Sequence, residues 1–216
     1  MRLYTIPGSR YATRCIIQIR AKGLPIEIHT LPYPIPDSFA AVNPLMLVPV
    51  LDTGTVILPE SQVICDYLED LGEGPALRPA DPLDRARMQL IIRLFELHYD
   101  PHVLALYARL RDRNALDEAK IERCYAAIDK GLDLIADRLD GGAYAVGRRL
   151  TLADCALMPP FLQVQILLPA IGLPDPVSRH PRIRDYFAAT RADPHVGAVL
   201  EEMEAGLRKA FVRRAS

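Results

Sequence analysis

The feature that most constrains this chain is Val48-Pro49-Val50-Leu51 followed, about ten residues on, by Glu60-Ser61-Gln62-Val63-Ile64. Proline has no N–H for a sheet ladder, so the first run is not a plain central strand and must begin irregularly. At that irregular start the amide and carbonyl of Val48 face outward and are available to pair with something extended. A cis Val48–Pro49 bond would fix this geometry firmly. Asp52-Thr53-Gly54 then joins two short apolar runs as a hairpin, with glycine where φ > 0 is needed. Pro59 stops the second run, and Ser61 is the candidate N-cap of the next helix. Val63, Ile64, Tyr67, Leu68 and Leu71 give that helix one apolar stripe.

A helix N-terminus carrying a hydroxyl and unpaired N–H groups binds a carboxylate. Glu60 beside it binds an ammonium group. The two together suit the zwitterionic end of an α-amino acid, and the Val48 backbone suits an extended peptide. The segment therefore reads as a site for a short peptide with an amino-acid end.

The ordered set Asn43-Pro44, Val48-Pro49 and Glu60-Ser61 resembles the glutathione S-transferase family, and the resemblance extends over nearly the whole chain. It implies a Ser-type member, similar to bacterial zeta, omega or phi forms. It further implies a cis Pro49, glutathione as co-substrate held through Val48, Pro49, Glu60 and Ser61, a homodimer, a cytoplasmic location and a role in detoxification. In the Ser- and Cys-type branches the active residue lies between the first strand and first helix, commonly five residues before an arginine. Ser9 and Arg14 match that spacing. Tyr11 is the alternative thiol-activating residue, or else lines the electrophile pocket. Two departures stand out. Met46 and Leu47 replace the usual Gly-Lys, whose lysine commonly contacts the glycine carboxylate of glutathione. Ser9-Arg10-Tyr11-Ala12 replaces the Ser-Ser-Cys-Ser run of the maleylacetoacetate isomerase branch.

Element order gives an α/β fold class for the N-terminal part. Arg2 to Ile6 reads as a strand, Arg10 to Lys22 as a helix ended by Gly23, and Ile26 to Leu31 as a strand. One helical turn is expected near Ser38 to Val42, before the hairpin and the helix from Ser61. The order β-α-β, β-β-α is that of a thioredoxin-like domain, placed at residues 1–75, with a linker at 76–82. The remainder, 83–216, reads as an all-α domain. Leu83–Arg111 and Asp117–Leu139 are predicted as two long helices, with Pro101 making an irregularity in the first. Gly141-Gly142 breaks the chain, and Thr151 with Asp154 forms a capping box that serves as a structural cap. Pro169 to Pro181 is expected as a loop, with final helices from about Ile183 and His195.

The chemistry implied is thiol activation, because the thiolate is the nucleophile. A hydroxyl at a helix start lowers a thiol pKa by hydrogen bonding and by the helix dipole. A second substrate is expected between the domains, lined by Tyr11 and by Tyr99, His102 and Tyr107 of the aromatic run after Phe95. His98 and His102 stand four apart but lack a third ligand, so no metal is expected. Arg10 reads as an exposed helix residue and Tyr4 as a structural strand residue. Cys15, Cys65, Cys124 and Cys155 have no metal-type spacing and read as small core residues in a reducing compartment. A net charge of −1 gives no footprint for nucleic acid. The basic tail Arg208, Lys209, Arg213 and Arg214 reads as a solvated helix end. No signal peptide and no apolar run of membrane-spanning length are expected, hence no membrane partner. The favoured function is a glutathione S-transferase acting on a small electrophile. The alternatives are a non-catalytic ligand-binding or regulatory protein on the same scaffold, a glutathione-dependent isomerase, or an ether-cleaving enzyme.

Overall fold

β1 (Arg2–Thr5), α1 (Arg10–Lys22), β2 (Glu27–Thr30), β3 (Val50–Asp52), β4 (Ile57–Pro59) and α2 (Ser61–Asp70) form the first layer of a computed structural model. The structure describes residues 1–215, with side chains through Lys209, so Arg213 and Arg214 of the basic tail lie outside the described side chains. The sheet order is β2-β1-β3-β4. β1 and β2 are parallel because α1 carries the chain back between them, while β3 runs antiparallel to β1 and β4 to β3. Val50 and Leu51 are both buried because β3 is covered on both faces. Gly23, at φ 65°, ends α1 in the left-handed conformation that glycine adopts without cost.

A short 3₁₀ turn, Asp37–Ala41, puts Phe39 inside. Phe39, Leu31 and Val50 make a small cluster against which Ile35, Val42, Met46 and Val48 pack. This cluster seats the loop that leads into Pro49. On the other side, the buried Lys22 ammonium lies 3.3 Å from Glu69 and donates to the Pro75 carbonyl. Glu69 also accepts from the amides of Leu77 and Arg78. The clip ties the chain leaving α2 back onto α1, and breaking such a buried pair costs about 3–5 kcal/mol.

The chain divides into two compact units, Met1–Arg78 with Asp193 onward, and Pro79–Ala192. The last helix, α9 (Pro194–Ala215), thus groups with the first unit, whereas the sequence assigns everything after residue 83 to the helical part. Its Val196, Val199, Leu200, Met203 and Leu207 make a buried stripe, and α9 packs on α1.

In the second unit the expected helix Leu83–Arg111 is interrupted. It runs as α3 (Pro82–Leu94), a π turn (Phe95–Tyr99), α4 (Asp100–Leu106) and a 3₁₀ turn (Tyr107–Leu110). Pro101 sits in the first turn of α4, where its missing N–H costs nothing, and the π turn absorbs the mismatch before it. α5 (Glu118–Ala136) packs against this irregularity at Gly131. α6 (Leu152–Ala170) continues through Pro159, Pro160 and Pro169, so the loop expected from Pro169 starts later and contains α7 (Pro176–Arg179). α8 (Pro181–Arg191) and α9 begin one or two residues earlier than expected, because proline opens each and His180 or Asp193 accepts the next amides.

α6 also corrects the expectation that no apolar run reaches membrane-spanning length. Leu152–Ala170 passes by length and composition, yet most of it is buried inside the fold. Thr151 and Asp154 form its capping box. The buried Asp154 carboxylate accepts from the amides of Ala145 and Thr151, the Thr151 hydroxyl and the Tyr186 phenol, at 2.7–2.8 Å. Burial pushes its pKa up, and these four donors hold it back.

A Cβ at Gly131 would lie 2.6 Å from the His98 carbonyl oxygen, in the middle of the π turn. Gly131→Ala should therefore lower stability by about 1–3 kcal/mol. Gly142→Ala is the control, because nothing lies within 4 Å of its added carbon. Equal melting temperatures for the two variants would refute the tight contact.

Candidate functional site

The pairing register brings three loops to one end of the sheet. Tyr4 pairs with Val50, and Val50 with Pro59. The chain leaving β1 toward Ser9, the chain arriving at β3 through Val48 and Pro49, and the chain leaving β4 into Glu60 therefore meet at the same edge. Cys15 Sγ lies 3.6 Å from both the Tyr11 and Ser61 carbonyl oxygens, so the starts of α1 and α2 stand side by side.

Ser9 is the N-cap of α1. Its Oγ accepts the Ala12 amide at 3.3 Å. That bond uses an oxygen lone pair, so the hydroxyl proton can still be donated outward. Two residues on, Tyr11 Oη accepts from Arg10 Nη2 at 3.0 Å, and the Arg10 guanidinium lies 4.7 Å from the Tyr11 ring centroid. Arg10 is buried rather than exposed, which corrects the sequence expectation. Burial of its stem against the neighbouring aromatic replaces the solvent it was expected to face.

The Val48–Pro49 peptide is cis, as is Tyr33–Pro34. The β3 ladder starts at Val50, so the backbone groups of Val48 stand outside it. Asn43 shapes the preceding turn. Its buried side chain donates to the Leu47 carbonyl at 2.9 Å and accepts the Leu45 amide at 3.2 Å. Met46 in this turn adopts φ 54°, an uncommon conformation for a side-chain-bearing residue.

The start of α2 differs from expectation by one residue. Glu60, not Ser61, is the N-cap, at φ 72°, and its exposed side chain makes no capping bond. Ser61 is the first helical residue because the left-handed twist at Glu60 turns the chain into the helix one position early. Its buried hydroxyl lies 3.4 Å from Arg14 Nη1, and Arg14 Nη2 donates to Gln62 Oε1 at 2.5 Å. The Gln62 amide donates to Asp66, which Arg78 also holds. Arg14, only 3% exposed, thus fixes two side chains of the α2 start. Sequence spacing singled out Arg14 but gave no sign of its partner Gln62, because their contact crosses between helices 48 residues apart.

Beneath this start lie two buried thiols, Cys15 and Cys65, 3.8 Å apart. Hydrogen bonding from Cys15 draws the Cys65 thiol pKa down, aided by Arg14 and opposed by burial.

The expected electrophile-pocket residues have diverse settings. Tyr99 is fully buried, edge-on to Phe161 and beside Phe95, so it belongs to the core and not to a pocket wall. It continues the buried stripe of Met88, Ile92, Phe95, Val103 and Leu106. His102 and Tyr107 are half-buried. No group of three or more His, Cys, Asp or Glu gathers among the described residues. Tyr4 packs edge-on to His29 and Phe39.

The site thus presents a donor-rich helix start at Ser61, an arginine behind it, a carboxylate at Glu60, exposed backbone at Val48 and a hydroxyl at Ser9. A γ-linked or α-linked amino-acid end, an extended peptide and a thiol each find a complement there.

Comparison with known proteins agrees. Residues 3–76 match the family model for the glutathione S-transferase N-terminal domain, and residues 118–189 that for the glutathione S-transferase C-terminal domain. A maleylpyruvate isomerase from Ralstonia is 34% identical over 169 residues, covering 74% of this chain and 80% of that one. A solved maleyl pyruvate isomerase, described as a bacterial zeta-class enzyme, superposes at TM-score 0.75 with 30% identity, covering 92% of this chain and 96% of that one. A Methylobacterium radiotolerans glutathione S-transferase bound to glutathione sulfonate gives TM-score 0.76 and 28% identity, covering 92% and 93%.

Arg14→Met would strip Ser61 and Gln62 of a charged donor. Unfolding in urea should show a loss of about 1.5–3 kcal/mol, the worth of hydrogen bonds to a charged group. A loss below about 0.5 kcal/mol, the level of an ordinary surface substitution, would show that the guanidinium does not organise this helix start.

Proposed function

This chain belongs to the glutathione S-transferase family, a family of enzymatic transferases, and from that premise we propose that Ser9 ionises the thiol of bound glutathione for attack on a small electrophile. The observation that carries the proposal is the register Tyr4–Val50–Pro59, which gathers Ser9, Val48-Pro49 and Glu60-Ser61 at one sheet edge.

Each group has one task. Glu60 takes the ammonium of the γ-glutamyl end, while Ser61 and the first amides of α2 take its carboxylate. Arg14 keeps Ser61 and Gln62 in place for this. Val48 pairs with the cysteinyl backbone and Pro49 fixes its presentation. The Ser9 hydroxyl donates to the sulfur, and the α1 dipole adds to that bond. Lowering a thiol from about 8.5 to near 6.5 takes about 2.7 kcal/mol. One charge-assisted hydrogen bond supplies about 1.5–3 kcal/mol, which is the right size. Ser9 is favoured because it caps α1, in line with the helix dipole; Tyr11, whose oxygen accepts from Arg10, is the alternative donor. In the Ser9 reading Tyr11 instead serves the electrophile.

A second reading is glutathione-dependent isomerisation, favoured by the 34% identity to the Ralstonia maleylpyruvate isomerase. The Ser-Ser-Cys-Ser run of the related maleylacetoacetate isomerase branch is absent, which weighs against it. Thiolate formation at Ser9 is common to both. Conversion of maleylpyruvate to its trans isomer without a conjugate would select the second reading.

The enzyme is proposed to be a cytoplasmic homodimer with a role in detoxification. Leu83, Leu90, Leu97 and Leu104 recur every seven residues along α3, the π turn and α4, and all four are exposed. A second copy of the chain is the occupant proposed for this stripe. Sedimentation at micromolar concentration should give the dimer mass, and Leu90→Glu should give the monomer. A wild-type monomer would count against the assembly.

Ser9→Ala should raise the bound thiol pKa by about 1–2 units, read from thiolate absorbance. Turnover should fall far more near neutral pH than at high pH, where thiolate forms unaided. Glu60→Ala and Ser61→Ala should instead weaken glutathione binding strongly while the fold survives. If Tyr11→Phe moves the pKa and Ser9→Ala does not, the tyrosine is the activating residue.

A further inference from the structure

We infer that the C-terminal helix α9 positions Ser9, through a backbone contact between Gly206 and Gly8. The inference rests on the reading of Ser9 as the thiol-activating residue. Ser9 follows a tight turn in which its amide donates to the Ile6 carbonyl at 3.2 Å. Gly8 in that turn has φ 76°, a left-handed conformation suited to glycine. The turn is walled by α9. A Cβ built on Gly8 would lie 2.6 Å from Leu207 Cδ2. One built on Gly206 would lie 3.0 Å from the Gly8 nitrogen and 3.3 Å from Pro7 Cβ.

Gly206 therefore faces the Gly8 backbone while Gly8 faces Leu207, and neither glycine tolerates a larger side chain without displacement. The rest of α9 is held in register. Arg20 donates twice to Glu202 at 2.7 Å, and the stripe from Val196 to Leu207 is buried. An exposed ion pair adds little by itself, so the buried apolar stripe is what holds the helix in position. The helix lies outside both family-model matches, which span residues 3–76 and 118–189. It is nonetheless packed one residue away from the hydroxyl proposed to meet the sulfur. A shift of about 1 Å in that hydroxyl is enough to cost most of a directional hydrogen bond. Gly206 is thus a positioning residue, acting through Gly8 on Ser9.

The test uses the full-length enzyme with Gly206→Val and Gly206→Ala, each made in the wild-type and Ser9→Ala backgrounds. The readouts are the pKa of bound glutathione, from thiolate absorbance against pH, and the glutathione Kd. Gly206→Val should raise the thiol pKa by about 0.5–1 unit, a loss of about three- to tenfold in thiolate at pH well below the pKa. The Kd should stay within about threefold, because the groups that hold the peptide are untouched. The shift should vanish in the Ser9→Ala background. Gly206→Ala should move the pKa in the same direction by less, and it serves if the valine variant does not fold. Ala205→Ser, on the exposed face of the same helix, is the control and should change nothing. An unchanged pKa in the folded Gly206 variants, when Ser9→Ala does shift it, overturns the inference alone. A shift that persists in the Ser9→Ala background also overturns it. No shift from Ser9→Ala itself overturns the Ser9 reading and the inference with it.

Discussion

The arrangement depends on one short strand. β3 contributes only Val50, Leu51 and Asp52 to the sheet, yet it pairs with β1 on one side and β4 on the other. Because Val50 stands opposite both Tyr4 and Pro59, three chain segments far apart in sequence leave the sheet at the same edge. A one-residue slip would turn every side chain of β3 over and carry Val48 away from its place. Burial of Val50 and Leu51 opposes that slip, so the geometry of the site is fixed by core packing and not by the site residues themselves.

Polar contacts then set the details. Arg14 reaches from α1 to Ser61 and Gln62 on α2, and Lys22 reaches from the same helix to Glu69. α1 is thus tied to both ends of α2 by buried cations, one behind Ser61 and Gln62 and one behind the exit from the helix. In the second unit Asp154 plays the corresponding part. Its four donors come from a preceding loop, its own cap residue and α8, so one carboxylate joins three segments. In both units a buried charge is tolerated because neighbours from separate segments hydrogen-bond to it.

Departures from sequence-based expectation occur where tertiary contact overrides a local signal. Within Leu83–Arg111 the sequence marks an irregularity at Pro101, and the structure gives it the form of a π turn lying against Gly131 of α5. Tyr99 lies in the core on the buried stripe of this run. Arg10 has the sequence context of a solvated helix residue and is buried against Tyr11. Ser61 has the chemistry of an N-cap, but the left-handed conformation of Glu60 moves the helix start by one position. α6 holds three prolines and still runs unbroken, because the core around it compensates for the lost backbone bonds.

The sequence by itself determined the βαβ-ββα order, the irregular start at Pro49, the carboxylate and hydroxyl at residues 60 and 61, and the serine before α1. Those features depend on backbone chemistry within a few residues: the missing amide of proline, the freedom of glycine and the capping power of short polar side chains. Only the tertiary structure decided which of them meet. The pairing of Arg14 with Gln62 and the seating of Gly206 on Gly8 join residues 48 or more positions apart. Nothing in local propensity encodes them, because they are set by the packing of one element against another.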